Sequence, residues 1–279
     1  GQVPLVTAIN HWGWRVTIIA LSIIGCFLAL LVWSIVRDSP ETVTQGHKFQ
    51  SPPKKSELKR LQQVCRNRQT WLIALYSFAI WAPITAFAAL WGIPFLVASY
   101  GLTTEAASIA SAMIWLGIGL GSPLMGWYSD KIGSRSKPLS LSALLGIISL
   151  TIIIYAPPLS LPWLYFTLFT FGLAASGQSL AFGVVKDNNT SCVVGTAIGF
   201  NNMAVVAGGA LFQPLIGILL YVNWSGVTHN GTPFYGIVDY QKAFFVLPLC
   251  YVLALLVSQF LLRETYCKSQ YSNESASAI

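Results

Sequence analysis

The chain has 279 residues, of which 54% are hydrophobic and 9% charged, with a mean hydropathy of +0.63. A soluble domain carries about 25% charged residues, so this composition excludes the soluble globular class and points to an integral membrane protein. The net charge of +7 does not mark a nucleic-acid partner, because the basic residues lie between apolar runs and not along one face.

Residues 1–10 are too few to cross a bilayer, and His11-Trp-Gly-Trp-Arg15 has the aromatic and basic character of a membrane interface. A partial helix and a short turn are expected there. The opening inside an apolar stretch, without a charged leader, is expected of a piece of a larger protein. Residues 16–36 form a complete span, closed by Arg37-Asp38-Ser39-Pro40-Glu41. Residues 37–69 are a basic connector, with Arg37, Lys48, Lys54, Lys55, Lys59, Arg60, Arg66 and Arg68 against Asp38, Glu41 and Glu57. Its Ser51-Pro-Pro-Lys54 portion should be extended. Residues 56–66 form either a disordered linker or a short surface helix with Leu58, Leu61 and Cys65 on one face.

Apolar runs follow at 70–98, 106–127, 138–157, 162–185, 193–221 and 241–262, which with 16–36 makes seven spans. All 16 Lys and Arg except Arg15 and Lys242 fall on one side of these spans. By the positive-inside rule the connector, the loop after residue 127 and the tail 263–279 are expected to be cytoplasmic.

Between the second and third of those six runs lies Gly126-Trp-Tyr-Ser-Asp130-Lys131-Ile-Gly133-Ser-Arg135-Ser-Lys137, a charged hinge read as a tight membrane-surface loop. Gly126 would let two helices approach, Asp130 and Lys131 would sit among lipid headgroups, and Gly133 would let the chain reverse. This Gly-x-x-x-Asp-Lys-x-Gly-x-Arg pattern resembles the loop signature of the major facilitator superfamily of membrane transporters. It departs at Ser134, where a second basic residue is common, which puts one ion pair in doubt.

A basic connector, six spans and a cytoplasmic tail resemble the second half of such a transporter. The resemblance implies an all-helical membrane bundle running from the end of helix five through helix twelve. It places 1–36 at the end of the amino-terminal bundle, 37–69 as connector, 70–262 as the carboxy-terminal six-helix bundle and 263–279 as tail. The helices 70–157 and 162–262 would be inverted repeats, and an amino-terminal bundle would be missing. Gly13-Trp-Arg15, Arg37-Asp-Ser-Pro40 and the run from Gly199 to Gly217 are similar to bacterial permeases, implying the inner (plasma) membrane. Arg263-Glu-Thr-Tyr-Cys267 is similar to permeases for amino acids or nucleosides, and organic-anion permeases look comparable. The implied activity is secondary active transport of a small polar solute by alternating access, of the permease and symport kind. The alternative is a non-transporting membrane remnant or partner-binding subunit.

No Asp, Glu, Lys, Arg or His lies centrally in any span, so these residues offer no proton carrier. What remains is uncharged: Asn201, Asn202, Gln178, Tyr76 and Trp81 are the cavity candidates. In the family the seventh and tenth helices line the cavity with help from the eighth and eleventh. Each amide either bonds a neighbouring helix or faces water and solute. Gly117, Gly119 and Gly121 spell GxGxG, but inside a span, where glycines serve close helix packing rather than a dinucleotide. Gly195, Gly199, Gly208, Gly209 and Gly217 read the same way. Pro83, Pro94 and Pro214 are candidate kinks. Cys26, Cys65, Cys192, Cys250 and Cys267 have no CxxC spacing and are expected as free thiols. No HExxH or GxSxG is present, and His11, His47 and His229 are scattered, so no catalytic, metal or cofactor site is expected and the chain is not read as an enzyme. The expected partners are a small-molecule solute, membrane lipid and the missing bundle.

Overall fold

The computed structural model describes residues 2–36, 57–229 and 232–269. The chain divides into two compact units, Gly1–Lys55 and Ser56–Ile279. In the first, α1 (Gln2–Ile35) is interrupted at Gly13, whose φ of 76° and ψ of 157° are open to glycine and costly for other residues. The expected partial helix and turn are therefore one broken helix. The 25-residue apolar segment His11–Ile35 contains the break and has no buried face, and the helix after Gly13, about 33 Å long, still exceeds a hydrocarbon core of about 30 Å. The residues of the connector from 37 to 56, including the Ser51-Pro-Pro-Lys54 portion and His47, lie outside the described residues.

The second unit begins with α2 (Glu57–Arg66), so the helical alternative holds for this part of the connector. Six spans follow: Arg68–Tyr100, Thr104–Ile132, Ser136–Tyr155, Leu161–Asp187, Val194–Val222 and Ile237–Leu261. Thus all seven expected spans are helices among the described residues. The first of the six is composite: α3 (Arg68–Pro83), a π-helical segment (Ile84–Trp91) and α4 (Gly92–Tyr100). Pro83 lacks a backbone donor, and the widened turn that follows it is how the chain absorbs the loss. The others are α5 (Thr104–Ile132), α6 (Ser136–Tyr155), α7 (Leu161–Ala175) with α8 (Gly177–Asp187), α9 (Val194–Val222), and α10 (Ile237–Phe244) with α11 (Val246–Leu256) and a π-helical end (Val257–Leu261). Before α10 a two-residue antiparallel pair joins β1 (Thr228–His229) to β2 (Thr232–Pro233). Asn230, between them, lies outside the described residues.

Helix ends follow local chemistry. The Asn67 and Thr103 side chains accept from the backbone N–H groups of Gln69 and Ala106, at 3.0 and 3.2 Å, starting α3 and α5. α5 runs through Asp130 and Lys131, and the reversal is three residues long. Gly133 takes φ 61°, its N–H reaches the Asp130 carbonyl, and the Ser134 N–H reaches the Ser129 carbonyl. The hinge is thus a helix end with a left-handed cap, shorter than the loop expected from 126 to 137.

α3 stands at the centre, packed by α8, α9 and α11, while α7 lies between α5 and α6. Small residues set these approaches. A Cβ on Gly117 would strike the Phe169 carbonyl, one on Gly172 the Ile114 carbonyl, and one on Gly121 the Ser176 hydroxyl. Gly208 and Gly209 lie against Ala82 and Thr85, at 3.1 and 3.2 Å from where a Cβ would stand, and Gly217 against Trp91. Gly119, Gly126, Gly195 and Gly199 face open space, so the close approach expected at Gly126 is not made within this unit. Phe87, Phe95, Phe171, Tyr240 and Phe244 stack edge to face inside it. All five cysteines are free thiols, as expected.

Gly172→Ala should destabilise the protein by about 1–3 kcal/mol, because the added methyl meets backbone. Gly119→Ala, in open space, should be neutral or stabilise by up to about 1 kcal/mol through helix propensity. Thermal unfolding of both variants in detergent checks this. An unchanged midpoint for Gly172→Ala would mean that α5 and α7 do not meet there.

Candidate functional site

Two groups of polar residues stand out against the apolar background. The first gathers at the hinge end, where α5, the turn, α8 and the tail converge. The Arg135 guanidinium donates from Nε to Asp187 at 3.0 Å, and from one terminal nitrogen to Asp130 at 2.9 Å and Ser129 at 3.0 Å. Asp130 is exposed and its pair with Arg135 contributes at most about 1 kcal/mol. The Arg135–Asp187 pair is nearly buried, so removing one partner strands the other and costs about 3–5 kcal/mol. Asp187 also accepts from the Thr265 hydroxyl at 3.1 Å, which ties in the tail. Lys131 turns away to lie over the Trp127 ring, 4.8 Å from its centre.

Glu264 completes this group. Its carboxylate accepts from the Ser134 hydroxyl at 2.6 Å and the backbone N–H groups of Arg135, Ser136 and Tyr266 at 2.8, 3.0 and 3.0 Å. It therefore caps the start of α6, where N–H groups lack partners within the helix. Partial burial pushes the Glu264 pKa up, but those hydrogen bonds outweigh it and hold the group down at about 2. For Arg135, burial works against the charge, and Asp187 more than compensates, raising its pKa. Ser134, where a basic residue was the common alternative, makes its contact as a hydroxyl. Neither Asp187 nor Glu264 was among the sequence candidates. The only signal for them is an acidic residue at the very end of a span and one just after the last span.

The second group is inside the spans. Asn201 is fully buried and neither of its amide atoms has a hydrogen-bond partner; Gln178 is 5% exposed and equally unpartnered. Asn202, the next residue, is exposed. Tyr76 is fully buried and donates to the Leu139 carbonyl at 3.0 Å, tying α3 to α6. Trp81 is half-buried against the core. Sequence reasoning passed over Ser77, whose hydroxyl is buried without a partner. Counted along their helices from the hinge end, Ser77, Gln178 and Asn201 all lie about 10–14 Å deep, on three helices that pack on one another.

On the outer surface, α5, α8 and α9 present Gly119, Ser122, Ser179, Gly195, Gly199 and Asn202. The Ser179 hydroxyl donates to that of Ser122 at 2.9 Å across α8 and α5. Leu116, Leu120 and Leu124 of α5 and Met203 and Val206 of α9 are exposed among these positions, and α6 exposes Leu141, Leu144, Ile148 and Ile152. Polar groups are costly in hydrocarbon, so the position of Asn202 suits water or protein, whereas the α6 surface suits lipid.

A family model described as Major Facilitator Superfamily matches residues 3–213 and 93–277. The chain is also similar to the membrane sensor protein UhpC of Salmonella typhimurium, with 25% identity over 245 residues, covering 80% of this chain and 55% of that protein. It thus spans about half the length of this curated relative.

A carboxylate held at about 2 contributes stability that is present above its ordinary 4.5 and lost as the pH falls from there toward about 2. Hydrogen exchange at the amides of Arg135, Ser136 and Tyr266, corrected for intrinsic rates, should therefore accelerate over that window. Glu264→Gln should show fast exchange already at neutral pH. Equal protection at both ends of the window in the parent protein would remove Glu264 from the capping role.

Proposed function

We propose, from the premise that the chain belongs to the Major Facilitator Superfamily, that it takes part in moving a small polar solute across a membrane by alternating access of two helical bundles. The observation that carries this is the set of outward polar and glycine positions on α5, α8 and α9, Gly119, Ser122, Ser179, Gly195, Gly199 and Asn202, which interrupt an otherwise apolar exterior. Such positions fit a water-filled path or the face of a second bundle, and the exposed Asn202 amide is the group among them that hydrocarbon serves worst. On this reading residues 70–262 are the carboxy-terminal bundle, 1–36 the end of the amino-terminal one, 37–69 the connector and 263–279 the tail. The rest of the first bundle lies upstream, and the membrane is the inner one with connector and tail cytoplasmic, as the distribution of the 16 basic residues supports. Amino acids, nucleosides and organic anions are the solute classes. Any coupling proton would be carried by the upstream half, because the spans described here hold no central ionised group.

Asn202 and the Ser122–Ser179 pair are the surface groups that would meet solute. Asn201 and Gln178 lie one layer deeper and would do so through rotation of α9 or α8. Asp130 would latch the cytoplasmic side by facing the start of a helix in the other bundle, since a carboxylate there is worth about 0.3–1 kcal/mol. In this chain its charge is spent locally on Arg135. A second reading, a membrane protein that senses without transporting, is favoured by the name of the relative, a membrane sensor protein.

Uptake into proteoliposomes tests these. The protein carrying its upstream sequence should accumulate one of the three solute classes, and the 279-residue chain alone should not. Saturable uptake by the chain alone would overturn the two-bundle reading, whereas solute binding without flux in the longer protein would favour a sensor. In the longer protein Asn201→Ala should weaken solute binding by about 1–3 kcal/mol. Unchanged affinity with a changed unfolding temperature would assign Asn201 to packing. Asp130→Asn should speed labelling of cytoplasmic-side cavity cysteines, and equal rates would reduce it to a solvating charge.

A further inference from the structure

The helix α2 has three distinct sides. One is fixed to the bundle: Val64 is fully buried, the Gln63 amide donates to the Thr190 hydroxyl at 3.4 Å, and the neighbouring Asn67 amide donates to the Asn188 carbonyl at 2.7 Å. The second carries Leu58, 77% exposed, Leu61, 43% exposed, and Cys65, also exposed. Positions 58, 61 and 65 lie on one face at helical spacing. The third carries Lys59 and Arg66, two turns apart and exposed. Arg68 is exposed in the first turn of α3, where the helix dipole disfavours a cation unless an anion is near. Among the described residues none of these three cations has an ion pair, whereas Arg60, on the packed side, is paired with Glu57 at 2.9 Å.

The height of α2 is also fixed. Trp71, one turn into the adjoining span and half exposed, donates its indole N–H to the Cys65 carbonyl at 2.9 Å and meets Phe200 edge to face at 4.8 Å. An indole with one wet and one apolar side belongs at the headgroup level, which puts the end of α2 there as well. Because the Val64 side is held by α9 and its preceding loop, the helix cannot roll its leucines inward.

We propose that α2 is a binding surface for anionic phospholipid. Leu58, Leu61 and Cys65 enter the upper acyl region, and Lys59, Arg66 and Arg68 hold the phosphate, with their aliphatic stems along the apolar ridge. An apolar strip flanked by unpaired cations, continuous with the lipid-facing start of a span, matches a lipid of negative headgroup in both its parts. A purely apolar protein partner would leave three cations unmatched, and a free anion would leave the leucines uncovered.

Native mass spectrometry of the purified chain, equilibrated with equal amounts of phosphatidylglycerol and phosphatidylcholine, reads this directly. Retained phosphatidylglycerol should exceed phosphatidylcholine about tenfold and fall steeply with added salt. Lys59→Gln/Arg66→Gln/Arg68→Gln should abolish that preference, and Leu58→Ser/Leu61→Ser should lower retention of both lipids severalfold. These side chains are exposed, and an unchanged unfolding midpoint verifies that the variants are folded. Equal retention of the two lipids by the parent chain, or an undiminished preference in the triple variant, overturns the proposal. So does displacement of the lipid by millimolar inorganic phosphate, which would make the site one for free anions. Loss of the preference in the longer protein carrying its upstream sequence also overturns it, because a protein segment would then cover the ridge.

Discussion

Hydrocarbon supplies no hydrogen bonds and gives two apolar helices no hydrophobic reason to associate. Contact in the bundle therefore depends on how closely backbones can approach. Gly117 and Gly172 bring α5 onto α7 with carbonyl oxygens where side chains would otherwise stand, and Gly208 and Gly209 let α9 lie against Ala82 of α3 and Thr85 just beyond it. Several hydroxyls within the spans answer to the first of these facts. Ser108, Ser122, Ser149 and Thr167 each return a hydrogen bond to the carbonyl four residues back, so they cross the bilayer without needing another helix. Asn188, Asn189 and Asn223 use the same device near helix ends, whereas Asn201 and Gln178 do not, which is why they stand out.

At the hinge end water and headgroups relax the constraint, and charges become the connectors. Arg135 is the junction: it faces α5 through Asp130 and Ser129, α8 through Asp187, and the tail through its own backbone N–H on Glu264. The strengths are uneven. The exposed contact with Asp130 can open at little cost, while the contact with Asp187 is sheltered and holds. The end of the bundle is thus anchored on one side and releasable on the other.

The spans were legible because crossing a bilayer is a matter of composition summed over about 20 residues. Helix ends were less so. Hydropathy drops at Trp127, yet α5 continues to Ile132, since Asp130 and Lys131 are comfortable in a helix once they reach the headgroups. Gly133 was readable as a reversal because its φ of 61° is a local demand on the residue type. The roles of Asp187 and Glu264 were not, because their partners lie 52 and 129 residues away and depend on how helices are arranged around one another. The same holds for Asn201 and Asn202. A periodicity separates them by about 100°, but which of the two is turned inward is decided by the neighbouring helices. That Leu58, Leu61 and Cys65 share one face was legible once 57–66 is a helix, since an amphipathic pattern is local, but that this face is left exposed while Val64 is buried was not.

The cap on α6 has a consequence for the order of manufacture. The first N–H groups of α6 are synthesised 129 residues before the carboxylate that satisfies Arg135. At translation rates of about 5–20 residues per second, that interval is roughly 6–26 seconds. Through it, α6 and the spans after it must be inserted with this end of the helix served only by water or lipid headgroups. The hinge closes when the ribosome has delivered the segment beyond the last span, so the tail acts as a completion mark: a nascent bundle carries an unlocked end, and a finished one does not.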